Sequence, residues 1–199
     1  YGYLAGDSIE VSKEDNLGSA WGNVTVRDSS KTLTVTGAYA SRNNGTEIIY
    51  GDSISPALAT NIEEGDTLIL GADLLKKNDD WLFAVGDVEF NQGAFSGDGD
   101  SLSWALKDDE VWLLGDPSVR SEEEELTGDS VRMTVIDNKP SLLSLIGNAK
   151  VLSYTNDTLQ NEMRGKTLDV GFVGGDIETV DIKGNGNILY YTIDDANSV

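Results

Sequence analysis

With 14 basic against 35 acidic side chains in 199 residues, the chain carries a formal charge of −21. That excludes a nucleic-acid partner and argues against docking on anionic lipid headgroups, since both need clustered Lys and Arg. Having no Cys and no His, the sequence offers no disulfide, no thiolate metal site and no Ser-His or Cys-His nucleophile pair, and no apolar run approaches the length of a membrane span.

From the N-terminus, Gly6-Asp7-Ser8-Ile9 begins a phrase that returns as Gly65-Asp66-Thr67-Leu68, Gly99-Asp100-Ser101-Leu102, Gly128-Asp129-Ser130-Val131 and, loosely, Gly165-Lys166-Thr167-Leu168. A second half, Gly-Asn/Asp-x-x-apolar, follows each start after about 15–20 residues, a fixed cadence of strand, turn and strand. It reads Gly22-Asn23, Gly86-Asp87, Gly115-Asp116, Gly147-Asn148 and Gly184-Asn185. The units span approximately 4–27, 32–57, 65–92, 97–121, 126–153 and 162–193, the second departing from the pattern with Thr34-Val35-Thr36-Gly37 and Tyr50-Gly51-Asp52-Ser53-Ile54. Period-two alternation over 31–36, 101–106 and 130–135 predicts half-buried strands. Turn chemistry separates them at Asn43-Asn44-Gly45, Lys77-Asn78-Asp79-Asp80, Lys107-Asp108-Asp109, Asp137-Asn138-Lys139-Pro140 and Val173-Gly174-Gly175-Asp176. Helix is scarce. Residues 73–77 and 122–126 are each long enough for one turn, the first reading better as strand, and the Glu122 to Glu125 run reads as a solvated loop.

These signals define an all-β fold, an elongated open β-jellyroll of about six repeated strand-turn-strand units in a single domain over 1–199. A Gly just before Asp or Asn lets each strand bend at the same level, so the stack folds into a V or U in cross-section. Alternation then places Ile9, Val24, Leu33, Val35, Leu68, Leu102, Trp104, Val131, Met133, Leu168 and Tyr190 on one face, the candidate lining of an apolar trough. Trp21, Ile49, Ile69, Phe83 and Trp112 fall on the opposite parity, which predicts local bulges or a partly covered outer face. Trp104, Tyr39, Tyr50, Tyr190 and Tyr191 read equally as trough lining or as core packing.

The paired halves, most closely Gly6 to Val26 and Gly128 to Val151, resemble the periplasmic lipopolysaccharide-transport bridge family, the OstA/LptA-like β-jellyroll or "β-taco". The stretch Lys183-Gly184-Asn185-Gly186-Asn187-Ile188-Leu189-Tyr190-Tyr191 resembles the Bacteroidota-type members. The resemblance implies a non-enzymatic carrier whose trough holds lipid A acyl chains while sugars and phosphates stay in water. It implies edge-strand pairing with other jellyrolls of the transport system, including head-to-tail self-association, and a periplasmic location. It calls for no cofactor. A chain that opens at Tyr1 without Met, and without a signal peptide, reads as a fragment or mature form of an exported precursor. The sequence departs from the family in its few, scattered basic residues, Arg27, Lys31, Arg120, Arg132 and Arg164.

Other chemistry is weaker. Asp98, Asp100, Asp108, Asp109 and Glu110 cluster in sequence, but a glycosidase pair needs a specific separation and one raised pKa, whereas turn aspartates explain themselves. Gly97-Asp98-Gly99-Asp100-Ser101 alternates Asp as calcium loops do, without a downstream bidentate Glu. Asn23-Val24-Thr25, Asn44-Gly45-Thr46 and Asn156-Asp157-Thr158 fit the glycosylation pattern and are assigned no role. The competing reading is a closed β-solenoid surface or scaffold protein, its interior filled by its own side chains and carrying no lipid.

Overall fold

The bend comes from the backbone chemistry of the second half-phrase. In Gly22-Asn23, Gly86-Asp87, Gly115-Asp116, Gly147-Asn148 and Gly184-Asn185, both residues of every pair have positive φ. Gly enters the left-handed region freely, and Asn and Asp tolerate it better than other side chains do. The computed structural model describes residues 2–12, 17–63, 66–121, 123–136, 139–156, 159–173 and 176–191. Gly65, Glu122, Asp137-Asn138, Asp157-Thr158 and Gly174-Gly175 of the sequence motifs lie outside the described residues.

The strands are, in chain order, β1 (Tyr3–Ala5), β2 (Ser8–Ser12), β3 (Leu17–Arg27), β4 (Leu33–Asn43), β5 (Thr46–Tyr50), β6 (Ala57–Glu63), β7 (Asp66–Ala72), β8 (Leu74–Lys77) and β9 (Trp81–Gln92). They continue as β10 (Phe95–Ala105), β11 (Glu110–Leu114), β12 (Ser118–Arg120), β13 (Glu124–Thr127), β14 (Ser130–Ile136), β15 (Lys139–Asn156), β16 (Leu159–Val173), β17 (Asp176–Lys183) and β18 (Asn187–Leu189). All pairings are antiparallel, and among the described residues there is no helix. The chain is therefore all-β, as the alternation predicts.

Strands β3, β4, β9, β10, β15 and β16 cross the bend, while the others follow one another end to end across it, as β1 does with β2. The result is a meander of bent rungs folded along one crease. One layer holds β2, β5, β8, β11, β14 and β17 with one half of each crossing strand; the other holds β1, β6, β7, β12, β13 and β18 with the other half. At a strand spacing of about 4.8 Å the stack runs roughly 50 Å.

At the crease the two halves of the repeat meet. The Asp7 N–H donates to Gly22 O at 2.9 Å, Asp73 to Gly86 at 2.9 Å, Asp129 to Gly147 at 2.8 Å and Lys166 to Gly184 at 2.7 Å. Asn23 Nδ2 donates to Asp7 Oδ2 and Asn148 Nδ2 to Asp129 Oδ1, both at 2.9 Å. Register shifts at Trp21/Val24, Gly99/Ser101 and Ile146/Ala149 mark bulges at this level. Most of the opposite-parity residues do not reflect these shifts: Trp21, Ile69, Phe83 and Trp112 stand on the outer face by alternation alone, next to the inward Ala20, Leu70, Ala84 and Leu113. Ile49 is buried inside, whereas Trp21 and Ile69 stay exposed.

Two local expectations are corrected. Glu124 and Glu125 are strand rather than helix or loop: they pair with Ser153 and Leu152, and Arg120 faces Glu125 at 3.8 Å. The Asp98/Asp100 segment is mid-strand rather than a loop, with Asp98 ion-paired to Arg120 at 2.6 Å. The hairpin turn at Asn44-Gly45 takes positive φ at both residues, 45° and 82°, as the two-residue type I′ turn requires.

Gly147→Ala tests the crease. At φ +71° an added Cβ runs into the Asp129 carboxylate, whereas at Gly45 (φ +82°) it meets open space. Urea unfolding is expected to show a loss of about 1–3 kcal/mol for Gly147→Ala and a smaller loss for Gly45→Ala. Equal losses would contradict the crease packing.

Candidate functional site: an apolar cavity at the N-terminal end

Cross-strand register turns the inner face of each layer into continuous rows. In the first layer one row runs Ile9, Ala20, Ala40, Ile49, Leu75 and Ala84, then Leu102, Leu113, Val131, Leu145, Leu168 and Ile182. In the second layer it runs Leu4, Val26, Val35, Ala59, Leu70 and Phe90, then Gly97, Val119, Leu126, Val151, Met163 and Ile188.

The two ends of these rows differ in bulk. Toward the C-terminus Leu126, Leu143, Leu145 and Leu168 are fully buried, and Phe95 of one layer meets Phe172 of the other edge-on at 5.2 Å. Toward the N-terminus the buried positions are largely alanines: Ala20, Ala40, Ala57, Ala59, Ala72 and Ala84. The layers there leave a cavity of about 660 Å³, bordered by Leu4, Val11, Leu17, Val26, Leu33, Val35 and Ile49.

A second inner row of the first layer, nearer the mouth, reads Val11, Gly18, Arg42, Glu47, Lys77, Leu82, Trp104, Val111, Met133, Leu143, Val170 and Val180. Its three charged members occupy neighbouring rungs, and all three border the cavity. Arg42 and Glu47 lie 3.5 Å apart. Across the mouth, the Arg27 guanidinium sits over the Tyr3 ring at 5.6 Å.

The sequence-derived candidates scatter along this interior. Leu33 and Val35 border the cavity. Val24, Leu102, Val131, Met133 and Leu168 are buried in the packed core, and Trp104 is half-buried against it. Leu68 is half-buried; Ile9 and Tyr190 are exposed near the two ends of the stack. The Trp104 indole N–H is buried with no acceptor among the described residues. Tyr39 and Tyr50 lie on the outer face, where Tyr39 contacts both Trp21 and Tyr50. Arg42, Glu47 and Lys77 were not singled out from sequence. Their signal was an interruption of the apolar period at hairpin ends, which turn residues also produce. Among the described residues no cluster of His, Cys, Asp and Glu could hold a metal.

The lower lip of the cavity is the 28–33 turn. Asp28 accepts hydrogen bonds from the Ser30 hydroxyl, from the Leu33 N–H at 3.0 Å and from the Thr32 hydroxyl at 3.3 Å. The Ser30 bond first, and then those from Leu33 and Thr32, hold its carboxyl below the ordinary value against opposing desolvation. A depressed carboxyl stabilises the turn above its unfolded pKa, and that contribution is lost as pH falls through the folded value. An NMR titration is expected to give Asp28 a midpoint below 3.8, with the Leu33 amide losing protection over the same step. A midpoint at or above 3.8 would contradict this.

Fold and site together define an all-β, folded-sheet jellyroll with an apolar, charge-rimmed cavity at its N-terminal end. No protein-family description and no curated protein matches the chain. Among solved structures it is similar to LptH, the LptA-homologous periplasmic component of the lipopolysaccharide transport device of Pseudomonas aeruginosa. The match is at 13% identity and a TM-score of 0.46, over 53% of this chain and 76% of that one.

Proposed function

We propose that the chain is a non-enzymatic periplasmic bridge that carries lipopolysaccharide toward the outer membrane, holding lipid A acyl chains between its layers. The observation that carries this reading is the pair of apolar inner rows opening into the N-terminal cavity. The ordered Gly-Asp-Ser and Gly-Asn halves, with their resemblance to the transport-bridge family, point to the cargo. Each CH₂ taken from water contributes about 0.8 kcal/mol, so one acyl chain supplies ample hold. A photocrosslinking side chain at Val35, beside the cavity, is expected to capture lipopolysaccharide, and one at Val85, 48% exposed on the outer face, is not. No capture at Val35 with saturating lipopolysaccharide would favour the closed scaffold without cargo, a reading that the packed C-terminal half supports.

Edge pairing with other jellyrolls follows from the two ends of the sheet. Among the described residues, β1 and β2 pair only with β3, and β17 and β18 only with β16, so both ends of the sheet are unpaired on their outer side, and open edges accept added strands. Head-to-tail pairing that continues the inner rows sets Ile9 against Ile182 and Val11 against Val180. The same frame puts Glu10 opposite Asp181, a like-charge pair that opposes self-association. Glu10→Lys is therefore expected to strengthen self-association in sedimentation velocity at neutral pH. An unchanged or weakened association would argue for a different frame or a different partner.

A further inference from the structure

The charged rungs beside the cavity stand out in a chain whose net charge is −21. We propose that the N-terminal cavity is a one-ended site for the acyl chain of a single-headed anionic lipid, phosphate- or carboxylate-headed, with Arg42 and Lys77 anchoring the head. The proposal rests on the lipid-carrying reading above and narrows its site and its ligand.

Three observations converge. First, the cavity has a closed end. Ala20 and Ala40 border the cavity at the N-terminal side, whereas Leu102 and Leu113 fill the same row further on. A chain entering at the mouth therefore stops within the N-terminal half. Second, the volume is that of one small lipid. At roughly 30 Å³ per solvent-sized group, a cavity of about 660 Å³ takes on the order of twenty groups. A lipid with several chains requires the layers to part where Phe95 meets Phe172. Third, the inner row carries charge only where it borders the cavity. Arg42, Glu47 and Lys77 follow one another on paired strands, then Leu82 and Trp104 resume the apolar run.

The charges also have an arrangement suited to one head. Glu47 sits between the two cations and is 3.5 Å from Arg42; Lys77 has no ion-pair partner among the described residues. On the opposite lip Asp28 is held by its own turn, and Arg27 covers Tyr3. The rim therefore presents an arginine and a lysine whose backbones stand two rungs apart, about 10 Å by strand spacing, within reach of one another for side chains of their length. Charge-assisted hydrogen bonds from both would fix one anionic head while its chain lies on the alanine floor.

Calorimetric titration of the chain with lauryl phosphate, dodecyl maltoside and inorganic phosphate tests this. The expected result is one lauryl phosphate per chain, dodecyl maltoside at least tenfold weaker, and no saturable heat from inorganic phosphate. The double variant Arg42→Ser/Lys77→Ser should weaken lauryl phosphate at least tenfold and leave dodecyl maltoside unchanged. Glu47→Gln, which removes the competing carboxylate, should tighten lauryl phosphate severalfold. Ala40→Leu, which fills the floor, should weaken both surfactants. Arg42 and Glu47 are about half exposed and Lys77 is exposed, so their variants keep the test sound if Ala40→Leu fails to fold. Equal affinity for the two surfactants, or no effect of Arg42→Ser/Lys77→Ser, overturns the proposal. Lipopolysaccharide captured at Val35 with no lauryl phosphate bound overturns this site and leaves the carrier reading standing. Lauryl phosphate bound with no capture of lipopolysaccharide supports this site and sinks that cargo.

Discussion

Everything in this molecule depends on a bend made without breaking the sheet. Among the described residues, five rungs turn at a Gly-Asn or Gly-Asp pair in the left-handed conformation, and at four of them the neighbouring rung supplies an N–H to the glycine carbonyl, as Asp7 does to Gly22 and Asp129 does to Gly147. The strands turn while their backbone groups stay paired, so the cost of burying polar main chain at the crease is avoided. Side-chain amides add a second tie, Asn23 to Asp7 and Asn148 to Asp129. Repeated at one level, the corner brings the two halves of a single meander face to face. Without it the same strands form a flat sheet with one apolar face in water.

What the corner encloses varies along the stack because side-chain volume does. Rows of identical register carry alanine at one end and leucine at the other, with the same backbone spacing throughout. Where leucines from both layers interdigitate, the interior closes at native density. Where the small side chains of Ala20 and Ala40 stand in one layer, with Val26 and Val35 in the other, a cavity remains. The open trough and the filled solenoid, which look like alternatives in sequence, are thus two ends of one molecule.

Charge follows the same logic of position. A surface excess of carboxylates keeps the chain dispersed and discourages approach to anionic membranes. That average says nothing about a cavity rim, where Arg42 and Lys77 sit on rungs next to Glu47. Within a few ångströms local cations outweigh a distant net charge, since fields from exposed groups fade over a Debye length of about 8 Å in physiological salt.

The sequence by itself determined the strands, the corners and the inward parity of most apolar positions. Period two is local, and Gly-Asn or Gly-Asp announces positive φ without reference to any neighbour; Val24, Leu102, Val131, Met133 and Leu168 are buried as their alternation implies. The pairing of Asp7 with Gly22 was audible in the recurring phrase, though not that its two halves touch. Tertiary structure alone decided the rest. The bulge at the crease shifted β4 so that Tyr39 faces outward while Ala40 and its partner Ile49 face inward, and Arg120 together with the strand across from it drew Glu124 and Glu125 into the sheet. It also decided where the interior is empty, because a void depends on which side chains face each other across two layers, and that is set by how twelve distant rungs stack rather than by the alternation along any one of them.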